Sequence, residues 1–555
     1  MDLVPLHLFS PLLGRVYLRA PQDRMTILAD GDGSIALRRA RARRYLFSHR
    51  GMKGRVMISK AWIALALALC LAGSSSLAAP PAAQKKESEE AADPSQGLPT
   101  EVTTTHSMSI RGEKLAFLSR AGAVRLRDAQ SGAPRVDVAF VSYERSDVDA
   151  LARPIAFVFN GGPGAASAWL GLGGISPWRL SLGAGPLSPS APPVVVDNAE
   201  SWLPFVDLVF IDPPGTGYSK FLTDNEETRK HFLSAQGDAE SLAVVVRKWL
   251  ATHRRIASPK FLVGESYGGF RAVELAHALR ERESIGVEGL VLISPALDFA
   301  WLDSPRNLLS LAGRLPSYAA VARDAKQRAE LADVEAYASG EFLVDLLKGP
   351  RDKEALERLD ANVARFTGLE SRIVTEEGGR VALKTFLRDR LRASHLVSSA
   401  YDGAVTGFDP RPFSRESDWS DPVLDALAAP LGAAMTRVTI EKLQWPIGDA
   451  RYEILNHKVA RDWDFGRGGR ANAEAVSTLR DELALDARLK VLVAHGLADL
   501  VTPYYASKLI LDQLPAFGEP TRVRLVTVPG GHMSYIRDDS RRLLRDEARK
   551  TIEGK

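Results

Sequence analysis

The chain predicts an α/β fold: a mostly parallel central sheet with helices on both faces and a helical insertion late in the sequence. Three observations carry this. Short, uninterrupted apolar runs recur at residues 155–159 (IAFVF), 208–211, 261–263, 290–293, 491–494 and 523–528, as in strands buried on both faces. Between several of them lie segments of helical periodicity, such as 235–253, and alternating strand and helix builds a parallel sheet. Many runs end in a Gly/Pro cluster, NGGPGAAS after the first and DPPGTGYS after the second, which places loops at one sheet edge.

Taken in order, residues 1–60 hold 12 Lys/Arg against 4 Asp, so the formal net charge of +4 leaves the remainder acidic. A basic nucleic-acid face is therefore not expected. Residues 61–72 (AWIALALALCLA) form an uncharged run after Arg55 and Lys60, followed by small residues through Ala78. This is the anatomy of a secretory signal, too short for a membrane-spanning helix. Residues 57–78 are expected to be that signal, with residues 1–56 an extension from an upstream start and the mature protein exported, periplasmic or secreted. The single cysteine, Cys70, lies in this leader, so no intrachain disulfide forms; lipid attachment there is the alternative. Residues 79–100, rich in Pro, Ala and charge, read as a flexible linker. No integral membrane segment is expected after cleavage.

From 101 to 145 apolar and polar residues alternate around Gly turns, as in antiparallel edge strands. Residues 101–297 and 487–555 are expected to form the core. Residues 298–486, with long polar–apolar helical patterns at 317–338 and 343–366, are expected to form a helical cap over the sheet's carboxyl edge.

The chemistry centres on PKFLVGESYGGF at 259–270. An apolar run enters Gly264-Glu265-Ser266-Tyr267-Gly268 and leaves as a helix, the strand–turn–helix that lifts a serine hydroxyl above a sheet edge. Ser266 is the candidate nucleophile. It requires a base and an acid to orient that base. Asp499 follows one late strand and His532 follows the last, giving the order Ser, Asp, His of α/β-hydrolases. His495 also follows a strand and rivals His532. Backbone N–H groups of the NGGPG loop and of Tyr267 are candidates to hold the oxyanion. The loop lacks the Gly-Lys-Ser/Thr ending of a phosphate loop, and no metal-spaced His or Cys cluster occurs. No cofactor or metal is expected.

NGGPG (160–164), DPPGTGYS (212–219), GESYGG (264–269), the Asp499 loop and GGHM (530–533), in this order, resemble the serine carboxypeptidases, specifically their bacterial members. The resemblance runs from about 100 to 550. It implies an α/β-hydrolase releasing C-terminal residues from peptides through an acyl-enzyme. Ser266, Asp499 and His532 would be the triad, and Gly162 and Tyr267 would supply the oxyanion N–H groups. Asn160, the Gly161 backbone and Glu265 would hold the substrate carboxylate, which requires a protonated partner and hence a raised pKa at Glu265. The chain departs at two places. Ala165 stands where the family commonly has a disulfide-linked cysteine, and Gly174 of GISP stands where many members carry a second Glu. A related esterase, acyltransferase or other exopeptidase with the same triad, or an inactive hydrolase fold that binds, are the alternatives. The preferred C-terminal residue, the pH optimum and the oligomeric state are not legible at this level.

Overall fold

A computed structural model describes residues 26–29, 35–38, 97–182, 186–302 and 307–554. Two compact units divide at Ser88. In the first, Thr26–Ala29 pairs antiparallel with Ile35–Arg38. The expected signal peptide, the start-site reading, Cys70 and linker residues 79–96 lie outside the described residues. Gly97–Thr100, expected as linker, are instead tied to the second unit: the Leu98 N–H donates to Asp137 (2.8 Å) and Trp445 Nε1 donates to Thr100 O (3.2 Å).

The second unit is organised on one sheet. Its main strands, in chain order, are β1 (Val102–Ile110), β2 (Glu113–Arg127), β3 (Pro134–Arg145), β4 (Ile155–Phe159), β5 (Asp207–Ile211), β6 (Lys260–Glu265), β7 (Gly289–Ile293), β8 (Lys490–Gly496) and β9 (Val523–Val528), and the two-residue strand Lys220–Phe221 pairs antiparallel with β3. Across the sheet the order is β9-β8-β7-β6-β4-β5-β3-β2-β1. Pairing is parallel from β9 to β5 and antiparallel from β5 to β1.

The expectation of edge strands over 101–145 holds for β1 and fails for β3, which pairs with β2 and β5 and is buried along most of its length. Pleating sends alternate strand residues to opposite faces. Leu262, Leu290 and Val493 join the core that includes Leu242 and Val246 of helix α1 (Ala235–Thr252) and Val273 of α2 (Tyr267–Glu283). Val263, Val291 and Leu492 join the opposite core with the C-terminal helix residues Leu544 and Ala548. At the sheet's edge, β9 is half-buried rather than the fully buried run expected, with only Val528 inside.

The chain runs from β4 to β5 on one side and then returns past β4 to β6. Strand order therefore reverses between β4 and β6, and the crevice outside the carboxyl ends at such a reversal is where open α/β sheets bind ligands.

Between β7 and β8 the chain leaves the sheet and forms mostly helices. The helical pattern at 317–338 is broken rather than continuous: α3 (Leu308–Arg323) stops at Asp324, which takes a left-handed conformation. The second pattern breaks at Gly349. These helices bury their own core, which extends onto Leu497, Leu500, Tyr504 and Tyr505 beside the Asp499 loop.

Candidate active site

β6 ends at Glu265 and α2 begins at Tyr267, leaving Ser266 alone in the turn at φ 60°, ψ −126°. A non-glycine residue in such backbone costs about 1–3 kcal/mol and persists only where its surroundings hold it. Here the Ser266 N–H donates to Ile293 O (2.9 Å), and its carbonyl accepts from the Ala296 and Gly269 N–H groups. The flanking glycines have no alternative. A Cβ on Gly264 would lie 1.9 Å from Gly268 O, and one on Gly268 would lie 2.7 Å from Phe159 O.

His532 Nδ1 lies 2.9 Å from Asp499 Oδ2. The Asp499 carboxylate is saturated: Oδ1 accepts the Val501 and Thr502 N–H groups, and Oδ2 lies 2.8 Å from Thr502 Oγ1. Burial pushes the Asp499 pKa up, but the His532 charge first, then the His532 hydrogen bond and the nearby His495, outweigh it and hold the carboxyl well below its ordinary range. Burial pulls His532 down, while Asp499 and then Glu265 carry it above 6.5. The loop is fixed further by Ser294 Oγ, which donates to His532 O (2.9 Å), and by the Tyr401 ring, edge-on to His532 at 5.3 Å.

His495 takes no such position. It sits within β8, fully buried, with Nε2 2.9 Å from Ser507 Oγ and Nδ1 3.9 Å from Asp499 Oδ2. The latter is an ion-pair distance without a hydrogen bond, and burial lowers its pKa.

Ser266 and His532 line one cavity of about 220 Å3, together with Gly162, Tyr267 and Glu265. Among the described residues the Ser266 hydroxyl makes no hydrogen bond. Serine–histidine contacts in sites without substrate are often looser than a hydrogen bond. The N–H groups of Gly162 and Tyr267 likewise have no acceptor among the described residues, and Tyr267 opens helix α2, whose amino end favours negative charge. The NGGPG loop reaches this close because Gly161 lacks a side chain: a Cβ there would lie 2.5 Å from Tyr267 N.

The three residues expected to bind a carboxylate divide. Glu265 lines the cavity, whereas Asn160 is fully buried with its amide committed, Oδ1 accepting from Leu170 N–H and Nδ2 donating to Glu265 Oε2 (2.9 Å). Gly161 is buried against the turn. Burial raises the Glu265 pKa, opposed first by the His532 charge, whose Nε2 lies 3.8 Å from Glu265 Oε1. The second motif, DPPGTGYS, is structural. Asp212 accepts from the N–H and hydroxyl of Ser167, the Tyr218 N–H and the Tyr452 hydroxyl, pinning both Gly-rich loops to the insertion.

Several site residues were not found from sequence. Thr502 had a local signal, three residues past Asp499. Tyr401 and Arg314, from the insertion, and Tyr535, beside Glu265, had none.

The sequence model described as "Serine carboxypeptidase" matches residues 137–301. That stretch contains NGGPG, DPPGTGYS and GESYGG, so the resemblance read from these motifs holds there. Among curated relatives, "Serine carboxypeptidase-like 9" of Arabidopsis thaliana is 27% identical over 28% of this chain and 36% of its own length. "Pheromone-processing carboxypeptidase kex1" of Aspergillus niger is 26% identical over 34% of this chain and 28% of its own length. The chain thus spans about a third of the length of the relatives it matches. Among solved structures, "Proline iminopeptidase Mycobacterium smegmatis" aligns over 78% of this chain at 14% identity, TM-score 0.35.

Proposed function

We propose that this chain is a serine hydrolase acting on peptides as a carboxypeptidase. The observation that carries the reading is the Asp499–His532 contact opening into the same cavity as Ser266, which stands on a strained turn with two free backbone N–H groups beside it. In this reading His532 takes the Ser266 proton as the hydroxyl attacks the scissile carbonyl. Asp499 holds the imidazole by Nδ1 and stabilises its charge. The N–H groups of Gly162 and Tyr267 receive the developing oxyanion. His532 then returns the proton to the departing amine, and a water activated by the same histidine releases the acyl group. Glu265, with its raised pKa, takes part in holding the substrate's carboxylate when protonated.

The family match over 137–301 supports the peptidase reading. Export through the 57–78 signal, and 298–486 serving as a cap that shapes the substrate pocket, belong to the same proposal. Among the described residues no helix is long and apolar enough to cross a membrane.

A second reading, a related esterase, acyltransferase or other exopeptidase, is favoured by Gly174, which denies Glu265 a second acid. Release of the last residue from N-blocked free-acid peptides, with little turnover of their C-amidated forms, is the outcome expected of the carboxypeptidase. Equal turnover would transfer the assignment to the second reading. Fluorophosphonate labelling lost in Ser266→Ala is expected of both, and a folded wild-type chain that takes no label would leave only a binding role.

A further inference from the structure

The catalytic cavity contains a cation that the hydrolytic steps above do not use. Arg314 lies on α3 and is only 7% exposed, yet it lines the cavity with Ser266 and His532. Its Nη2 donates to Leu302 O, and its Nε is buried with no hydrogen-bond partner. Among the described residues it forms no ion pair. The contrast within the chain is sharp. The other buried arginines, Arg153, Arg255, Arg271, Arg388, Arg541 and Arg545, each contact a carboxylate. Burial raises the pKa of the neighbouring Tyr318, opposed first by the Arg314 charge, and the phenol also neighbours Arg314 as a neutral hydrogen-bond partner. Glu377, whose charge adds to the rise, is itself held by the Ala382 N–H and the Thr385 hydroxyl.

A guanidinium does not lose its proton to escape burial. Removed from water without a counter-ion it is a costly state, relieved when an anion arrives. The cavity is also lined by Leu302, Leu383 and Leu424, and its carboxylate, Glu265, is hydrogen-bonded to Asn160 and Tyr535 rather than to Arg314; among the described residues no carboxylate pairs with Arg314. Carboxylates match the planar fork of a guanidinium through parallel N–H···O bonds. The site expected for a substrate carboxylate also lacks capacity: Asn160 is largely committed to Leu170 and Glu265, and position 174 has no acid.

We propose that Arg314 binds a carboxylate of the substrate and selects for it. This rests on the hydrolase reading of the same cavity. Two sources share that chemistry, the peptide's terminal α-carboxylate and an acidic side chain beside the scissile bond.

The test uses the full chain and N-acylated peptides in two matched pairs: free acid against C-terminal amide, and Asp or Glu against Asn or Gln next to the cleaved bond. For Arg314→Gln, the wild-type preference within one pair should fall by about 10- to 100-fold, chiefly through KM, as expected for losing a charge-assisted contact. Loss in the first pair identifies the terminal carboxylate, and loss in the second an acidic side chain. Arg314→Lys, which keeps the charge but not the fork, should retain part of the preference. Active-site titration with a fluorophosphonate fixes the competent fraction of each variant. Preferences unchanged in both pairs would overturn the proposal. If Arg314→Gln does not fold, Arg314→Lys decides alone: a preference unaltered there overturns it equally. A wild-type chain that takes no fluorophosphonate fails at Ser266, and the underlying hydrolase reading falls with it, an outcome distinct from an active enzyme indifferent to Arg314.

Discussion

The Tyr535 hydroxyl lies 3.4 Å from Glu265 Oε1, and the same tyrosine fills the space beside Gly174, where a Cβ would stand 3.0 Å from both Tyr535 Cβ and Tyr535 O. A phenol thus neighbours Glu265 where the family resemblance led to an expected second carboxyl. Burial, and then the Glu265 charge, raise the Tyr535 pKa well above 10, so it remains a hydrogen-bond donor. Gly174→Glu should accordingly fail to recreate the acid pair. Crowding of Tyr535 and Arg541 should destabilise the fold by about 1–3 kcal/mol, read as a lower melting temperature. A variant of wild-type stability with a new acid optimum would contradict this packing argument.

In the proposed mechanism Glu265 also acts on the base. Its charge is one of the causes that hold His532 above 6.5, and His532 must be neutral to accept the Ser266 proton. Glu265→Gln removes that charge, so the acid limb of kcat/KM should move to lower pH. A limb that stays in place or moves upward would refute the coupling.

Stability against pH follows from the same shifts. Asp499 is depressed below 3.8, so its contribution is present above that value and is lost as pH falls toward the folded-state pKa. His532 is raised above 6.5, so its contribution is present below 6.5 and is lost as pH climbs through the folded pKa. Asp499→Asn should flatten the acid side of the curve below about pH 4. Chemical denaturation of both proteins from pH 3 to 8 measures it, and parallel curves would count against the assignment.

The two histidines should separate cleanly. His532→Ala should lower kcat by roughly 10^4-fold or more with a folded protein, as loss of a general base does. His495→Ala should instead cost stability, leaving a cavity and an unpaired Ser507 hydroxyl, by about 1–3 kcal/mol, with kcat within roughly tenfold of wild type. Reversal of the two phenotypes would exchange the roles.

Asp212→Ala should lose stability rather than chemistry. It strands the donors of Ser167, Tyr218 and Tyr452 in a buried site. At about 1–3 kcal/mol for an unsatisfied buried donor, a loss of 3 kcal/mol or more is expected from thermal or denaturant melts. A variant that melts with wild type but turns over slowly would move Asp212 into the active site.

Much of the fold was legible because its signals are local. Uninterrupted apolar runs marked β4 to β8, and the glycines around Ser266 marked a turn that no larger residue permits. β3 reads as an edge from its sequence because alternation does not reveal that strands pair on both of its sides. The pattern over 317–338 reads as one helix because nothing in its periodicity marks the left-handed break at Asp324.

By itself the sequence determined the serine on its turn, the loops that approach it and the order in which the candidate acid and base follow, since each depends on residues a few positions apart. Only the tertiary structure separated His495 from His532, placing His532 in the cavity with Nδ1 2.9 Å from Asp499 Oδ2 and His495 inside β8. A strand residue is aimed by the pleat into the packed face of the sheet, whereas a residue in the loop beyond β9 is free to turn into the cavity. It alone also decided that Tyr535 meets Glu265 across 270 residues of chain and that Arg314 lines the cavity without an ion pair among the described residues. Contacts between distant segments are set by how helices and loops pack over the sheet, and no local pattern encodes them.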